Sequence, residues 1–244
     1  MLWTGAPARS AAAEQAETIA RVKASVVVVG TFQATRNPRF RFRGTGFAVG
    51  DGTLVATNAH VVPVVDSEKF ETLTVLVRRE DGRIAQFPAA QVADDPDHDV
   101  ALLRFKGPPL APLQLGDSAR VREGEFYLFT GFPIGEVLGA FPVTHRAMIS
   151  AVAPVAIPSV RASRLDPQLV RRLKGEPFEI FQLDGTAYPG NSGSPLYDAG
   201  TGTVVGVLNM VFVKRTKEAA LEDPSGISYA IPARHVAELL RGVR

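Results

Sequence analysis

A glycine-rich stretch in the last quarter of the chain constrains its fold and chemistry more than any other feature. It runs Pro189-Gly190-Asn191-Ser192-Gly193-Ser194-Pro195. Glycine lets a backbone turn tightly and aim successive N–H groups at one point, here beside the Ser192 hydroxyl. A serine hydroxyl is a weak nucleophile unless a base takes its proton and a carboxylate orients that base. Alone, the stretch is explained equally well by a tight turn, so the prediction of a serine nucleophile depends on a suitable histidine and acidic residue elsewhere in the chain.

His60 is the histidine whose context best suits the base. It ends the run Thr-Asn-Ala-His at residues 57–60, directly after an apolar strand pattern. Histidine exchanges a proton near neutral pH, as a general base must. The other histidines have weaker contexts, because His98 falls in an acidic loop expected to be solvated, His145 in a predicted strand and His235 in a predicted terminal helix. The sequence therefore predicts His60 as the catalytic histidine.

Asp99 is the predicted carboxylate partner of that histidine. It directly precedes the apolar run 100–103, which places it at the end of a buried strand. Asp94, Asp95 and Asp97 lie in the same loop and are expected to be solvated, with Asp97 as the alternative. The candidates thus occur in the chain order His, Asp, Ser, which differs from the orders of subtilisin and the α/β-hydrolases.

These motifs resemble those of the trypsin-like serine peptidases, and most of all those of the HtrA/Deg branch. Further matches to that branch are Ser25–Val29, Gly131–Gly135 and Gly226–Pro232. The resemblance extends over roughly residues 20–240 and covers the protease domain, with no segment of PDZ size after it. It implies an all-β, chymotrypsin-like fold of two perpendicular six-stranded antiparallel β-barrels with the active site in the cleft between them.

The pattern of strands and turns predicts how the chain is divided. Short runs rich in Val, Thr and Leu alternate with Gly, Pro and Asp turns, as in an antiparallel barrel. Helical spacing predicts a short helix over 10–22, for which a partly ordered leader is the alternative, and a terminal helix with Pro232 in its first turn. The expected divisions are a leader over 1–24 and a protease domain over 25–244, with barrel one at about 25–110, barrel two at about 111–232 and the C-terminal helix at 233–244.

The resemblance assigns an oxyanion hole to the backbone N–H groups of Gly190 and Ser192. Asn191 lies between them, where trypsin-like zymogens have an aspartate that binds a newly cut N-terminus. An uncharged amide cannot form that ion pair in the same way, and the chain also lacks an Ile-Val-Gly-Gly activation site. These features favour an enzyme that is not switched on by N-terminal cleavage.

Residues around the nucleophile loop are expected to form the substrate pocket: Thr186, Ala187, Leu208 and Val211. By alignment of the motifs, Thr186 occupies the pocket floor, where trypsin has an aspartate, so cleavage after Lys or Arg is not indicated. Leu208 stands where glutamyl endopeptidases use a histidine, and Val211 where an open pocket has glycine. These side chains predict a preference for small or medium aliphatic residues before the scissile bond.

Composition limits the cofactors, partners and location to be expected. The chain has no cysteine and a formal net charge of +2, so disulfides and a thiol nucleophile are excluded and nucleic-acid binding is not expected. It has neither a Walker-type glycine loop nor a His-Glu-x-x-His motif, so no cofactor and no metal are expected. No run reaches the roughly 18–20 apolar residues of a membrane span. Residues 1–13 lack the pattern of a secretory signal, so the protein is cytoplasmic or its targeting segment is absent from this sequence; the resemblance favours a periplasmic or secreted protein.

The sequence thus predicts a serine endopeptidase that cleaves polypeptides through an acyl-enzyme, in HtrA-like quality control or processing. Relatives of this type are often trimers, so the resemblance implies a possible homo-oligomer. One alternative is a protease-like module that binds or chaperones polypeptides with a latent or inactive site. The sequence does not exclude it, because a sequence does not show whether the loops of the site are ordered. Another is a narrow processing protease that selects one partner through the insertion over 153–178.

Overall fold

Short β-branched runs separated by turns fold this chain into sheet. In the computed structural model, the described residues are 11–65, 68, 70–79, 81–133, 140–154, 178–209 and 227–243. Their strands form two closed antiparallel barrels of six strands each, and helices precede the first barrel and follow the second. The predicted all-β class, with its two six-stranded barrels and terminal helices, is confirmed.

Barrel one is built from the first half of the chain. Its strands are β1 (Val26–Phe32), β2 (Phe40–Val49), β3 (Leu54–Thr57), β4 (Thr72–Arg78), β5 (Ile84–Asp95) and β6 (Val100–Phe105). Their order around the barrel is β1-β2-β3-β6-β5-β4, and the pairing of β4 with β1 closes it.

The valines of β1 show how alternation divides the core. Successive side chains of a strand point to opposite faces of the sheet. Val27 and Val29 accordingly pack with the other apolar side chains of barrel one, whereas Val26 and Val28 pack in a cluster that also contains side chains of barrel two, such as Leu128. This second cluster joins the two barrels.

Barrel two follows with the same number of strands. They are β7 (Phe126–Gly131), β8 (Val143–Pro154), β9 (Glu179–Leu183), β10 (Pro195–Tyr197), β11 (Val204–Asn209) and β12 (Ser228–Pro232). The order is β10-β11-β12-β9-β8-β7, and β7 pairs with β10 to complete the ring.

Both helices pack on barrel surfaces. Helix α1 (Ala11–Ser25) is bound to the loop before β11, where the Thr18 hydroxyl donates to the Gly200 carbonyl at 2.8 Å. Helix α2 (Arg234–Gly242) begins two residues after β12. The prediction that Pro232 lies in the first turn of this helix is wrong, because Pro232 is the last residue of β12. Among the described residues, no helix is long and apolar enough to cross a membrane.

Candidate active site

Strand pairing in barrel one brings His60 and Asp99 together. β3 pairs with β6 so that Thr57 lies opposite Ala101. His60 follows β3 in a short 3-10 turn, Ala59–Val61, and Asp99 immediately precedes β6. Both residues therefore lie at the same end of this strand pair.

Two hydrogen bonds join His60 to the Asp99 carboxylate. Nδ1 of the His60 ring lies 2.7 Å from Oδ2, and the His60 backbone N–H donates to Oδ1 at 2.9 Å. Asp99 is 1% exposed, whereas the His60 side chain is 23% exposed. A carboxylate that accepts from Nδ1–H holds the imidazole in the tautomer whose Nε2 can take up a proton. This pair can therefore supply an oriented base.

Asp99 differs from the nearby acidic residues Asp94 and Asp97 in its backbone contacts and its burial. Asp99 has a φ of 53°, a left-handed conformation that Asp and Asn tolerate better than other residues with a side chain. Its carbonyl accepts from the Asn58 side chain at 3.0 Å and from the Ala59 N–H at 3.2 Å. Asp94 and Asp97 are exposed, so burial distinguishes Asp99 from both.

Asn209 is a member of this site that the sequence analysis missed. It ends β11, is fully buried, and its Nδ2 donates to Oδ2 of Asp99 at 2.7 Å. The available signal was a polar amide closing the apolar run 204–208, because buried amides need hydrogen-bond partners. The contact joins barrel two to the carboxylate that barrel one supplies.

Replacing Asn209 by alanine is expected to lower kcat/KM by about 10- to 100-fold, because a hydrogen bond to a charged group contributes about 1.5–3 kcal/mol. The loss follows from a carboxylate that is less well held beneath the His60 ring. Steady-state rates on a cleavable peptide measure it, and circular dichroism checks the fold. A well-folded variant with the rate of the wild type would contradict a positioning role for Asn209.

The loop that carries Ser192 is held between the two barrels. On the side of barrel one, the Thr45 N–H donates to the Ser192 carbonyl at 2.8 Å and the Thr45 hydroxyl donates to the Gly190 carbonyl at 2.7 Å. On the side of barrel two, the Gly193 N–H donates to the Leu208 carbonyl at 2.9 Å. Ser192, which is 6% exposed, is therefore anchored at the cleft.

No hydrogen bond joins the Ser192 hydroxyl to the His60 ring among the described residues. Without substrate, catalytic hydrogen bonds are often long and tighten only in the complex. The structure thus joins His60, Asp99 and Asn209 directly, whereas backbone hydrogen bonds to both barrels hold the loop of Ser192.

A turn in this loop leaves two backbone donors open. The Asn191 N–H donates to the Tyr188 carbonyl at 2.9 Å, and Gly190 has a φ of 105°, as at the third position of a type II turn with Pro189 at the second. The N–H groups of Gly190 and Ser192 have no acceptor among the described residues. Two donors on one short loop can stabilise an oxyanion.

Gly193→Ala is expected to disrupt this loop. Gly193 has a φ of 87°, and a Cβ there would clash with the Thr45 carbonyl oxygen and lie 2.5 Å from Oγ1 of Thr57. Gly124 is a matched control, because its φ is 85° and a Cβ would meet nothing within 4 Å. We expect Gly124→Ala to cost about 1–2 kcal/mol of stability from its backbone alone, and Gly193→Ala about 1–3 kcal/mol more from overpacking. Urea unfolding measures both, and equal losses would contradict the crowding.

The predicted pocket residues that the structure describes lie on barrel two. Thr186 and Ala187 precede the nucleophile loop, and Leu208 lies on β11. Ala187 and Leu208 are buried in one apolar cluster, and Thr186 is partly exposed. Val211 lies outside the described residues. Of these three residues, only Thr186 is therefore partly open to solvent.

A groove of about 520 Å³ lies beside the His60 ring. Its lining comes from the segment around His60, from Asp94 at the end of β5 and from Asp97 in the turn before β6. The space next to the candidate base can therefore accept part of an extended chain.

Known proteins resemble this chain in sequence. A family model of the trypsin-like peptidase domain matches residues 44–207. A probable periplasmic serine endoprotease DegP-like from Ectopseudomonas mendocina is 31% identical over 218 residues, which are 86% of this chain and 38% of that relative. A protein of the same name from Pseudomonas putida is 32% identical over 190 residues, which are 78% of this chain and 32% of that relative. The chain thus spans about a third of the length of these relatives.

Solved structures resemble it in fold. The HtrA-type protease AlgW with a tripeptide has a TM-score of 0.65 at 24% identity, over 94% of this chain and 63% of that chain. Deg5 has a TM-score of 0.66 at 22% identity, over 95% of this chain and 94% of that chain. Both similarities concern the path of the backbone.

Proposed function

Because this chain belongs to the trypsin-like peptidase family, we propose that it is a serine endopeptidase with Ser192 as nucleophile, His60 as base and Asp99 as orienting carboxylate. The observation that carries this proposal is the hydrogen-bonded pair of the His60 ring and the buried Asp99 carboxylate, 2.7 Å apart. Burying a carboxylate is costly unless it is well paired. That cost is expected where an imidazole must be held in one orientation for catalysis.

The proposed reaction is acyl transfer to Ser192 followed by hydrolysis. His60 Nε2 takes the Ser192 hydroxyl proton as the oxygen attacks a peptide carbonyl carbon. The peptide C–N bond then breaks, and His60 returns the proton to the leaving amine. In the second half, His60 takes a proton from water, the hydroxide attacks the acyl-enzyme, and the proton returns to Ser192.

The Gly190 and Ser192 N–H groups would bind the negative oxygen of each tetrahedral intermediate. Their support is the Gly190 turn, which leaves both donors open on the loop. Removing one such donor from an oxyanion hole slows catalysis by about 10²–10³-fold. Hydrogen bonds from the loop to Thr45 and Leu208 hold these donors in place before a substrate binds.

The proposed specificity is for small or medium aliphatic residues before the scissile bond. Its support is the lack of a charged side chain at Thr186 and the apolar character of the neighbouring Ala187 and Leu208, which are 7% and 0% exposed and pack in the core of barrel two. Cleavage after Glu is not expected, because Leu208 stands where glutamyl endopeptidases use a histidine. Val211 is expected to shorten the pocket.

A peptide library with one variable residue is expected to show cleavage mainly after Val and Ala. The apolar pocket has no charge to pair with Lys, Arg or Glu, and a buried unpaired charge is strongly disfavoured. Mass spectrometry of the products identifies the cleaved bond. Dominant cleavage after Phe, Lys or Glu would contradict the assigned pocket.

We further propose that the substrates are polypeptides outside the cytoplasm, cleaved in quality control or processing. The support is the resemblance to relatives named periplasmic serine endoproteases. The groove beside His60 is lined by both apolar and polar side chains, which suits contact with a polypeptide.

A fluorophosphonate probe tests the proposed nucleophile directly. Intact-mass analysis near pH 8 is expected to show one adduct on the wild type and none on Ser192→Ala, with a much slower reaction for His60→Ala. Peptide mapping should place the adduct on Ser192. If the folded wild type takes up no probe, the active-enzyme proposal fails, and a module that only binds polypeptides becomes the better explanation.

A further inference from the structure

Asp95, His98 and His235 form a second cluster of titratable side chains, which the proposed reaction does not use. Asp95 ends β5, His98 precedes Asp99 in the turn before β6, and His235 lies in the first turn of α2. One ligand atom from each, a ring nitrogen or a carboxylate oxygen, lies within 4.8 Å of the others. Two segments distant in sequence, residues 95–98 and the start of α2, thus converge on one point beside the candidate active site.

Asp95 holds His98 in place within this cluster. Oδ2 of Asp95 lies 2.6 Å from Nδ1 of His98, and Oδ1 accepts from the His98 backbone N–H at 3.1 Å. The side chains of Asp95 and His98 are 25% and 27% exposed. The expectation of a solvated loop is therefore wrong for His98, which is ordered but still open to solvent on one side.

His235 is the unexplained member of the cluster. It is 5% exposed, and neither of its ring nitrogens has a hydrogen bond among the described residues. Glu238, one turn along α2, approaches only to 3.5 Å from Nδ1. Buried polar groups without hydrogen bonds are rare and costly. A ligand that accepts the lone pair of a ring nitrogen would remove this cost.

Packing keeps the two imidazoles side by side. The rings of His98 and His235 are stacked with centroids 3.7 Å apart and planes 16° apart. Phe178 packs edge-on against both, at 4.6 Å and 5.6 Å. The three aromatic rings thus hold His98 and His235 next to each other.

The surroundings keep His235 uncharged at neutral pH. Burial, with smaller contributions from His98 and Arg234, lowers the pKa of His235 to about 4, against the opposing effects of Glu238 and Asp95. The neutral imidazole is the form that binds metal ions. No proton therefore needs to leave His235 before a cation binds.

We propose that Asp95, His98 and His235 form a binding site for a divalent transition-metal ion of the Zn²⁺ class. Two imidazoles and one carboxylate are a ligand set that Zn²⁺ accepts, with a further position for water. Glu238 approaches Nδ1 of His235 to 3.5 Å but is not one of the three clustered ligands, so water would fill the fourth position. Ligand atoms around zinc lie about 3.3 Å apart, so each side chain has to move by roughly 1 Å and the stacked rings have to tilt.

The bound ion would act as a clamp rather than as a catalyst. It would tie α2 to the turn that carries Asp99, the carboxylate that holds His60. Occupancy would therefore stabilise the end of barrel one on which the proposed active site is built. This site is independent of the peptidase reaction, so it can be tested whether or not peptides are cleaved.

Metal content and binding isotherms of the full chain, prepared without a polyhistidine tag, test the site. After chelator treatment and dialysis against micromolar Zn²⁺, elemental mass spectrometry is expected to find one Zn²⁺ per chain. Co²⁺ should bind with the same stoichiometry, and its binding should give absorption bands in the visible range. Mg²⁺ at the same concentration should not bind. If the wild type fails to bind Zn²⁺ in a one-to-one, saturable manner, the proposal is overturned.

Variants locate the ion. His98→Gln and Asp95→Asn change partly exposed side chains, so both variants should keep the fold. Each should weaken Zn²⁺ binding at least about tenfold, because each removes a ligand. His235→Gln should abolish binding, but its buried position makes the first two variants the decisive ones. His60→Ala is the matched control, because it removes the other histidine paired with a carboxylate and should bind Zn²⁺ like the wild type. Binding lost in His60→Ala but kept in His98→Gln would place the ion at the candidate active site and overturn the proposal.

Thermal unfolding gives a second readout. At a free Zn²⁺ concentration about a hundredfold above the dissociation constant, the Tm of the wild type should rise by about 5–10 °C. The rise should persist in Ser192→Ala, which cannot act as a peptidase, and disappear in His98→Gln. A Tm shift of the same size in both variants would contradict the clamp.

Discussion

Replacing Ser192 by alanine is expected to lower kcat/KM for a cleavable peptide by about 10⁴- to 10⁶-fold. Without the hydroxyl no acyl-enzyme can form, and only substrate binding and the backbone donors of the loop remain to assist attack by water. Initial rates on a fluorogenic peptide with Val before the scissile bond measure the loss. The fold should be unaffected, because the Ser192 backbone contacts do not involve its side chain.

Ser194→Ala is the matched control for that substitution. Ser194 is two positions further along, is fully buried, and its hydroxyl has no hydrogen-bond partner among the described residues. Removing the Ser194 hydroxyl breaks no hydrogen bond, so kcat/KM should stay within about threefold of the wild type. An active Ser192→Ala alongside an inactive Ser194→Ala would show that the nucleophile is wrongly assigned.

Asp99→Asn is expected to lower kcat by about 10⁴-fold. The carboxylate accepts from the His60 backbone N–H, from the Asn209 amide and from the His60 ring. An amide has one oxygen and one NH₂ group, so it cannot accept all of these, and it favours the wrong imidazole tautomer when its NH₂ faces Nδ1. Asparagine also tolerates the φ of 53° at this position. The loss should therefore appear in kcat with little change in Tm.

Asp97→Asn provides the comparison for Asp99→Asn. Asp97 lies in the same turn but is exposed, so its substitution should change kcat by less than about twofold. Single-turnover rates and thermal unfolding of both variants separate a chemical effect from a structural one. If Asp97→Asn lost as much activity as Asp99→Asn, the acidic member of the site would have to be reassigned.

Local pattern predicted the strands and an antiparallel barrel, whereas the arrangement in two six-stranded barrels was implied by the resemblance of the catalytic motifs to a known family. The β-branched runs and their turns indicated the barrels, and the alternation in β1 follows directly from strand geometry. Helix α1 was predicted over 10–22 and lies at Ala11–Ser25. The error at Pro232 has a physical reason: proline suits a first helical turn, and it also suits the end of β12, where pairing with β9 has already stopped, so its identity does not decide between them.

By itself, the sequence determined the family and the order of His60, Asp99 and Ser192, because each lies in a short motif whose neighbours define its local conformation. Only the tertiary structure decided which side chains meet. Asn209 and Asp99 are 110 positions apart, and His98 meets His235 only because α2 packs against the turn before β6. Such contacts depend on the closure of two barrels and on the docking of a helix, and no local pattern of residues encodes them.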